Sequence, residues 1–130
     1  MASVSKKIEF TPPNFTEEWN EAKRYPEFKE MGKSAFIKFA KKNGKQIKFS
    51  SIKNKGLSNY NPKFKNLEEP KKDRFFKAFE KGVIEMSVFI KWNDSQHELM
   101  AGNTRVSGLN MVGIDPPIWC IDMKSLGNEY

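Results

Sequence analysis

A short junction near the end of the chain carries residue types that bind phosphate. In the run Gly102-Asn103-Thr104-Arg105, a glycine, an amide, a hydroxyl and a guanidinium follow one another directly. Glycine lets an anion approach the backbone, the first amides of a helix carry partial positive charge, and arginine matches phosphate oxygens. The run therefore predicts a phosphate cradle, with Asn103 capping the helix that follows. The alternative is a structural turn in which glycine supplies a positive φ and Arg105 lies in solvent.

A phosphate bound at this junction would need acidic side chains nearby for catalysis. Glu85 falls on the opposite face of an alternating strand from its apolar neighbours, and Asp94 falls in the turn after that strand. A carboxylate beside a phosphate can hold Mg²⁺ or accept the proton of a hydroxyl. We therefore predict catalytic or metal-holding roles for Glu85 and Asp94. The alternative is that each is an ordinary solvated acid.

Positive charge is concentrated in one segment of the chain. The 130 residues contain 23 basic and 16 acidic side chains, for a formal net charge of +7. Residues 32–67 hold ten lysines and no aspartate or glutamate. Such a segment suits an anionic partner, such as nucleic acid, nucleotide phosphates or a membrane surface. The alternative is a lysine-rich composition that places lysine at every exposed position.

A predicted loop over residues 54–66 combines aromatic and basic side chains. Tyr60 and Phe64 stand among lysines, and aromatic rings can stack on bases while lysines contact phosphates. The alternative is that Phe64 anchors the loop to the core. The predicted nucleic-acid-binding residues are Lys53, Lys55, Tyr60, Lys63, Phe64 and Lys65.

Length and composition favour a single cytoplasmic domain. The chain is long enough for one hydrophobic core, and 11 Phe and 3 Trp compensate for a hydrophobic fraction of 38%. No apolar run approaches the roughly 20 residues that span a bilayer, and we expect neither a secretory signal nor a membrane partner. The lone Cys120 fits a reducing compartment and is expected in the core. His97 is interpreted as a surface or cross-strand residue, with a general base as the alternative.

Apolar spacing and turn residues predict helices in the first third of the chain and a mixture of elements afterwards. Thr16 is predicted to cap the first helix. Further helices are predicted over residues 33–42, 67–81 and 104–111. Strands are predicted over residues 46–52, 83–92, 97–100 and 118–123. This order indicates an α+β domain with a small mixed sheet and packed helices.

The phosphate-binding run and its surroundings resemble the signature of the ParB/sulfiredoxin superfamily. In that superfamily a strand delivers a Gly-x-x-Arg turn, and a helix and a short terminal strand follow. The matching residues are Met100 to Val106, Gly108, Leu109, Gly113, the strand at 118–122, Asn61-Pro62 upstream, and the helix that ends at Gly82. The resemblance covers about residues 46–123. It implies a ParB/sulfiredoxin-like domain over residues 46–130, preceded by an N-terminal helical extension over residues 1–45, in one compact unit.

The resemblance implies a function for the turn. Members of the superfamily hold nucleotide phosphates there or act on them, so we expect binding of ATP or another nucleoside triphosphate with Mg²⁺. In that role the amides of Asn103 and Thr104 would hold oxygens and Arg105 would neutralise developing charge. Neither Asn103 nor Thr104 carries sulfur, so sulfiredoxin chemistry is not expected.

Three functions are compatible with these residues. The first is NTP hydrolysis or phosphoryl transfer at a bound nucleotide or nucleic-acid phosphate. The second is a non-enzymatic, small basic DNA-binding or partner-binding protein, such as a phage accessory protein. The third is a ParB-like nuclease. An enzyme needs a carboxylate within reach of the bound phosphate, whereas a binding protein does not.

Overall fold

The computed structural model describes residues 7–126, so the outermost parts of the predicted 1–45 and 46–130 units, residues 1–6 and 127–130, lie outside the described residues. Helices and strands are mixed along the described chain, which confirms the α+β class. The elements in chain order are β1 (Glu9–Thr11), α1 (Phe15–Ala22), α2 (Pro26–Met31), α3 (Lys33–Lys42), β2 (Gly44–Lys48), β3 (Leu57–Ser58), α4 (Glu69–Lys81), β4 (Val83–Glu85), β5 (Val88–Asn93), β6 (Gln96–Ala101), α5 (Asn103–Met111) and β7 (Pro117–Asp122).

The sheet is mixed and small. Five strands lie in the order β2-β7-β5-β6-β3, and β1 pairs with β4 in a separate parallel ribbon. The central strand β5 is antiparallel to β6 and parallel to β7. Helix α5 connects the end of β6 to the start of β7, and its first turn directly follows β6, which lies between β5 and β3 in the sheet.

Both faces of the central strands are buried. Val88 and Ile90 lie in one core cluster with the N-terminal helices, which contribute Phe15, Phe28 and Phe36. Phe89, which alternates with them, lies in a second cluster on the opposite face of the sheet. Residues 7–42 thus supply a strand and three helices, and those helices pack directly on the sheet. None of the helices in residues 7–126 combines the length and apolar character needed to cross a bilayer.

Helix α5 packs closely against α4 because Gly108 has no side chain. A Cβ atom at Gly108 would lie 2.6 Å from the ring of Phe75 on α4, well inside van der Waals contact. Phe75, Phe64, Ile84 and Leu109 form the third core cluster around this contact. The close approach fixes the position of α5 against the ribbon that contains β4.

The predicted strand over residues 46–52 is wrong at its second half. Strand β2 begins earlier and ends at Lys48, after which residues 49–51 form a 3₁₀ turn. The Phe49 amide donates to the carbonyl of Pro116, and the backbone and hydroxyl of Ser50 both donate to the Asp115 carboxylate. These contacts with a distant loop turn the chain away from the sheet edge.

The predicted strand over residues 83–92 is two strands. It breaks at Met86 and Ser87, where the chain passes from the β1–β4 ribbon to the main sheet. The Met86 amide donates to the carbonyl of Thr11, and the Ser87 hydroxyl donates to the carbonyl of Gly102. The alternation of apolar residues continues across the break, so sequence pattern alone could not reveal it.

Candidate functional site

A cleft of about 880 Å³ opens at the first turn of α5. Helices α1 and α4, strand β4 and the end of β6 form its walls. Its volume lies within the range of small-molecule sites, roughly 300–1,000 Å³. Acidic and basic side chains line it in equal number: Glu17, Glu18, Glu21, Glu85, Arg24, Lys71, Arg74 and Arg105.

The turn that begins α5 requires glycine. Gly102 has φ +97°, and a Cβ there would overlap the hydroxyl of Ser87 and lie 2.7 Å from Nη2 of Arg105. The Ser87 hydroxyl holds the turn by donating to the Gly102 carbonyl at 2.8 Å. Gly102 is itself the N-cap residue, so the prediction that Asn103 caps the helix is wrong.

Asn103 binds a different partner. Its side-chain oxygen accepts a hydrogen bond from the backbone N–H of Asn61 at 2.6 Å, and its side-chain nitrogen donates to the backbone carbonyl of Asn61 at 2.8 Å. These two hydrogen bonds fasten the loop that contains Asn61 to the turn at the start of α5. Among the described residues, no side chain caps the helix start, so the amides of Asn103 and Thr104 remain available to an anion.

The guanidinium of Arg105 does not lie in solvent, nor does it stand open to a phosphate. Its Nη1 donates to the Glu85 carbonyl at 3.0 Å and lies 3.4 Å from the Met86 carbonyl. Its Nη2 lies 3.6 Å from the Glu18 carboxylate, and Nη1 lies 3.9 Å from the Glu85 carboxylate. The side chain is 25% exposed. Arg105 therefore ties α1, β4 and α5 together at the floor of the cleft.

Glu18 and Glu85 bring two carboxylates to this guanidinium from separate elements. Glu18 is on the buried face of α1, with 12% of its side chain exposed. Glu85 ends β4, and its carboxylate also accepts a hydrogen bond from the backbone N–H of Asn14 at 2.9 Å. The same Asn14 caps α1, because its side chain accepts from the Glu17 amide; Thr16 is not the cap. The cap of α1 thus positions both acids.

Burial raises the pKa of the Glu18 carboxyl from 4.5 to about 7. Arg105 lowers this pKa by attraction, and the negative charge of Glu85 raises it further. A carboxyl that exchanges its proton near neutral pH is suited to general acid–base catalysis. Sequence reasoning missed Glu18, because a glutamate in the first turn of a helix is ordinarily a solvated residue that stabilises the helix dipole.

The structure places Asp94 away from the cleft. It lies in the hairpin turn, at the opposite end of the six-residue strand β6 from Gly102. At about 3.3 Å per residue, the separation is roughly 20 Å. The Asp94 side chain is 98% exposed and pairs with Lys91 at 3.2 Å. Its predicted role beside a phosphate bound at the turn is therefore wrong.

The six residues predicted to bind nucleic acid do not share one surface. Lys55 lies beside the start of β6, where its carbonyl contacts His97, whereas Asn61 and the lysines after it lie beside the start of α5. Phe64 is buried against Phe75 and Phe76, so its predicted stacking on bases is wrong and the anchoring alternative holds. The four lysines, Lys53, Lys55, Lys63 and Lys65, are all exposed.

Tyr60 is half-buried rather than displayed. Its ring packs on Phe49 with centroids 5.2 Å apart, and its hydroxyl accepts from Asn110 at 3.4 Å. Burial raises the pKa of the Tyr60 hydroxyl.

His97 is buried as a cross-strand residue, and Cys120 lies in the core, where burial raises the pKa of its thiol to about 11. These positions agree with the structural interpretation of both residues.

Comparison with known proteins does not assign this protein to a class. No family model, no curated protein and no solved structure matches the chain. No group of three or more His, Cys, Asp or Glu side chains within residues 7–126 is arranged to hold a metal ion. The site is therefore defined by the α5 turn and the Glu18–Arg105–Glu85 cluster, with Lys71 and Arg74 of α4 also lining the cleft.

Substitution of Gly102 tests the geometry of the turn. Gly102→Ala is expected to reduce the free energy of unfolding by about 2–3 kcal/mol, from the positive φ and from overlap with Ser87 and Arg105. Gly113 is a matched control, because it has φ +83° and no atom within 4 Å of its Cβ position. Gly113→Ala is expected to cost only about 1 kcal/mol. Urea unfolding measures both; equal losses would contradict the close approach.

Proposed function

We propose that the cleft binds the phosphates of a nucleoside triphosphate at the first turn of α5 and transfers the terminal phosphoryl group to a hydroxyl. One observation carries the proposal: the unbonded amides of that turn and the Glu18 carboxyl, with its pKa near 7, face the same cleft. The amides supply an anion site, and the carboxyl supplies a proton acceptor.

The charged residues divide into binding and catalytic groups in this proposal. Lys71 and Arg74 on α4 neutralise phosphate charge at the rim. Glu18 takes the proton of the acceptor hydroxyl as the hydroxyl oxygen bonds to the terminal phosphorus. The bond between that phosphorus and the departing nucleoside diphosphate breaks. Arg105 holds Glu18 and Glu85 in place and acts as a positioning residue.

In this proposal Glu85 would hold Mg²⁺. Magnesium sites in nucleotide-dependent enzymes use one or two carboxylates together with substrate phosphates, and this requirement is compatible with a single acidic ligand from the protein. The ion would offset the negative charge of the phosphates beside Glu85. The Glu18 and Glu85 carboxylates beside the α5 turn favour an enzyme over a protein that only binds nucleotide.

We also propose that the fold is ParB/sulfiredoxin-like. The order α4, β4, hairpin, α5 and terminal strand β7 supports this assignment, together with the glycine turn that begins α5. The fold assignment and the phosphoryl-transfer proposal are separate, because one fold can support many activities.

Titration calorimetry with ATP, CTP and GTP, each with and without Mg²⁺, tests nucleotide binding. The paired change Lys71→Gln and Arg74→Gln is expected to weaken nucleotide binding by about 10–100-fold, because it removes two phosphate contacts. The control changes two lysines on the same helix outside the cleft, Lys77→Gln and Lys81→Gln, and should leave affinity within about twofold.

Loss of the labelled terminal phosphate from the nucleoside triphosphate, measured as labelled acceptor or as free phosphate, then tests turnover. Binding without turnover in the presence of Mg²⁺ and hydroxyl acceptors would favour the binding-only alternative. If none of the three nucleotides binds at millimolar concentration, the proposed function is wrong.

A further inference from the structure

The ten lysines of residues 32–67 share a property that the cleft does not use. Every one of them is exposed. Within residues 7–126, none forms an ion pair with a carboxylate. By contrast, Lys71, Lys72 and Lys91 each pair with an acid. The positive charge of the segment therefore remains uncompensated on the surface.

Part of this charge converges where α3 ends. Lys38, Lys41 and Lys42 share the outward face of α3, since they are spaced three and four residues apart. Lys45 follows in β2. The chain near Lys124 lies alongside, because the Asn43 carbonyl accepts from the Asp122 amide and the Asn43 side chain accepts from Ser125. We call Lys38, Lys41, Lys42, Lys45 and Lys124 the α3 corner.

Nearby acids do not cancel this charge. Among residues 7–126, Asp122 precedes Lys124 by two positions, and Lys91 contacts both Asp122 and Asp94, at 3.9 Å and 3.2 Å. Together these three side chains contribute a net charge of −1, against five positive charges at the corner. None of the corner lysines lines the cleft, so the corner is a second surface.

We propose that the α3 corner binds the phosphate backbone of duplex nucleic acid without sequence preference. Lysine neutralises phosphates as a point charge, whereas reading of base edges ordinarily uses the fork of arginine, and the corner contains only lysine. A membrane surface is a poorer fit, because interfacial helices bury large apolar side chains. The large apolar side chains that are exposed in residues 7–126 lie elsewhere: Phe76, Val83, Met111 and Val112.

Fluorescence anisotropy with a labelled 20-base-pair duplex at several salt concentrations tests the proposal. Five phosphate contacts predict that the logarithm of the association constant falls with the logarithm of salt concentration with a slope of about −4.5. Lys41→Gln, Lys42→Gln, Lys45→Gln and Lys124→Gln together should weaken binding at least about 100-fold in low salt and reduce the slope to about −1.

A control with the same total charge separates the corner from net charge. Lys23, Lys29, Lys77 and Lys81 are exposed and belong to other elements. Changing these four to Gln should leave the slope near that of the unmodified protein. Equal losses in the two quadruple variants, no binding by the unmodified protein, or binding to anionic vesicles but not to duplex would each overturn the proposal. Nucleotide binding in the cleft is unaffected by these outcomes, so the two proposals fail separately.

Discussion

Glu18→Gln is expected to lower phosphoryl transfer by about 10²–10⁴-fold while leaving nucleotide affinity nearly unchanged. The variant keeps the shape of the side chain and can still accept a hydrogen bond from Arg105. It cannot accept the proton of a hydroxyl. In the unmodified protein the rate should fall as pH drops below about 7, because Glu18 then becomes protonated. The residual activity of the variant should not show this fall.

The same substitution has a consequence for stability that does not depend on the proposed reaction. The folded-state pKa of Glu18 is raised from 4.5 to about 7, so the folded protein holds this proton more tightly than the unfolded chain does. The stabilisation is complete below pH 4.5 and is lost as pH rises through 7. A shift of this size corresponds to about 3 kcal/mol. Glu18→Gln should therefore be more stable than the unmodified protein at pH 8.

Urea unfolding at pH 5 and pH 8 measures this effect. The unmodified protein should lose stability between the two values, and the Gln variant should lose less. Glu30→Gln is the control, since Glu30 is exposed on α2 and lies outside the cleft. If Glu18→Gln retains full turnover, proton transfer by Glu18 is excluded. If its stability changes with pH as in the unmodified protein, the buried titration is excluded.

Arg105→Ala is expected to destabilise the fold by about 3–5 kcal/mol. The guanidinium lies between two carboxylates and donates to a carbonyl at the end of β4. Its removal leaves Glu18 and Glu85 facing each other without a cation and leaves the Glu85 carbonyl without that donor. A buried charge that loses its partner costs more than the pair itself contributes.

Arg105→Lys separates charge from geometry. It should restore part of the lost stability, because an ammonium supplies positive charge but cannot contact the carboxylates and carbonyls together. Combining Arg105→Ala with Glu18→Gln should recover stability relative to Arg105→Ala alone, since one of the two facing charges is then absent. Thermal unfolding at pH 8 measures all three variants. If Arg105→Ala unfolds at the temperature of the unmodified protein, the guanidinium does not hold the cleft together.

Local sequence determined much of the secondary structure. Helix α3 and the hairpin of β5 and β6 follow their predicted spacing, and α4 ends at Gly82 in the left-handed conformation. The turn at Gly102 also begins a helix as predicted. These features depend on periodicity, caps and glycine, which act over a few residues. Boundaries set by distant contacts, such as the break at Ser87, were not predictable in this way.

The amino-acid sequence by itself determined the α+β class, the glycine turn and the concentration of lysine between residues 32 and 67. Only the tertiary structure decided that Arg105 meets Glu18, 87 positions earlier, and that Asp94 lies at the far end of a strand. The physical reason is that helix caps and alternation are local, whereas the charge and solvation of a side chain depend on whatever the fold packs beside it. A glutamate such as Glu18 becomes a candidate proton acceptor only once burial and its neighbours have moved its pKa.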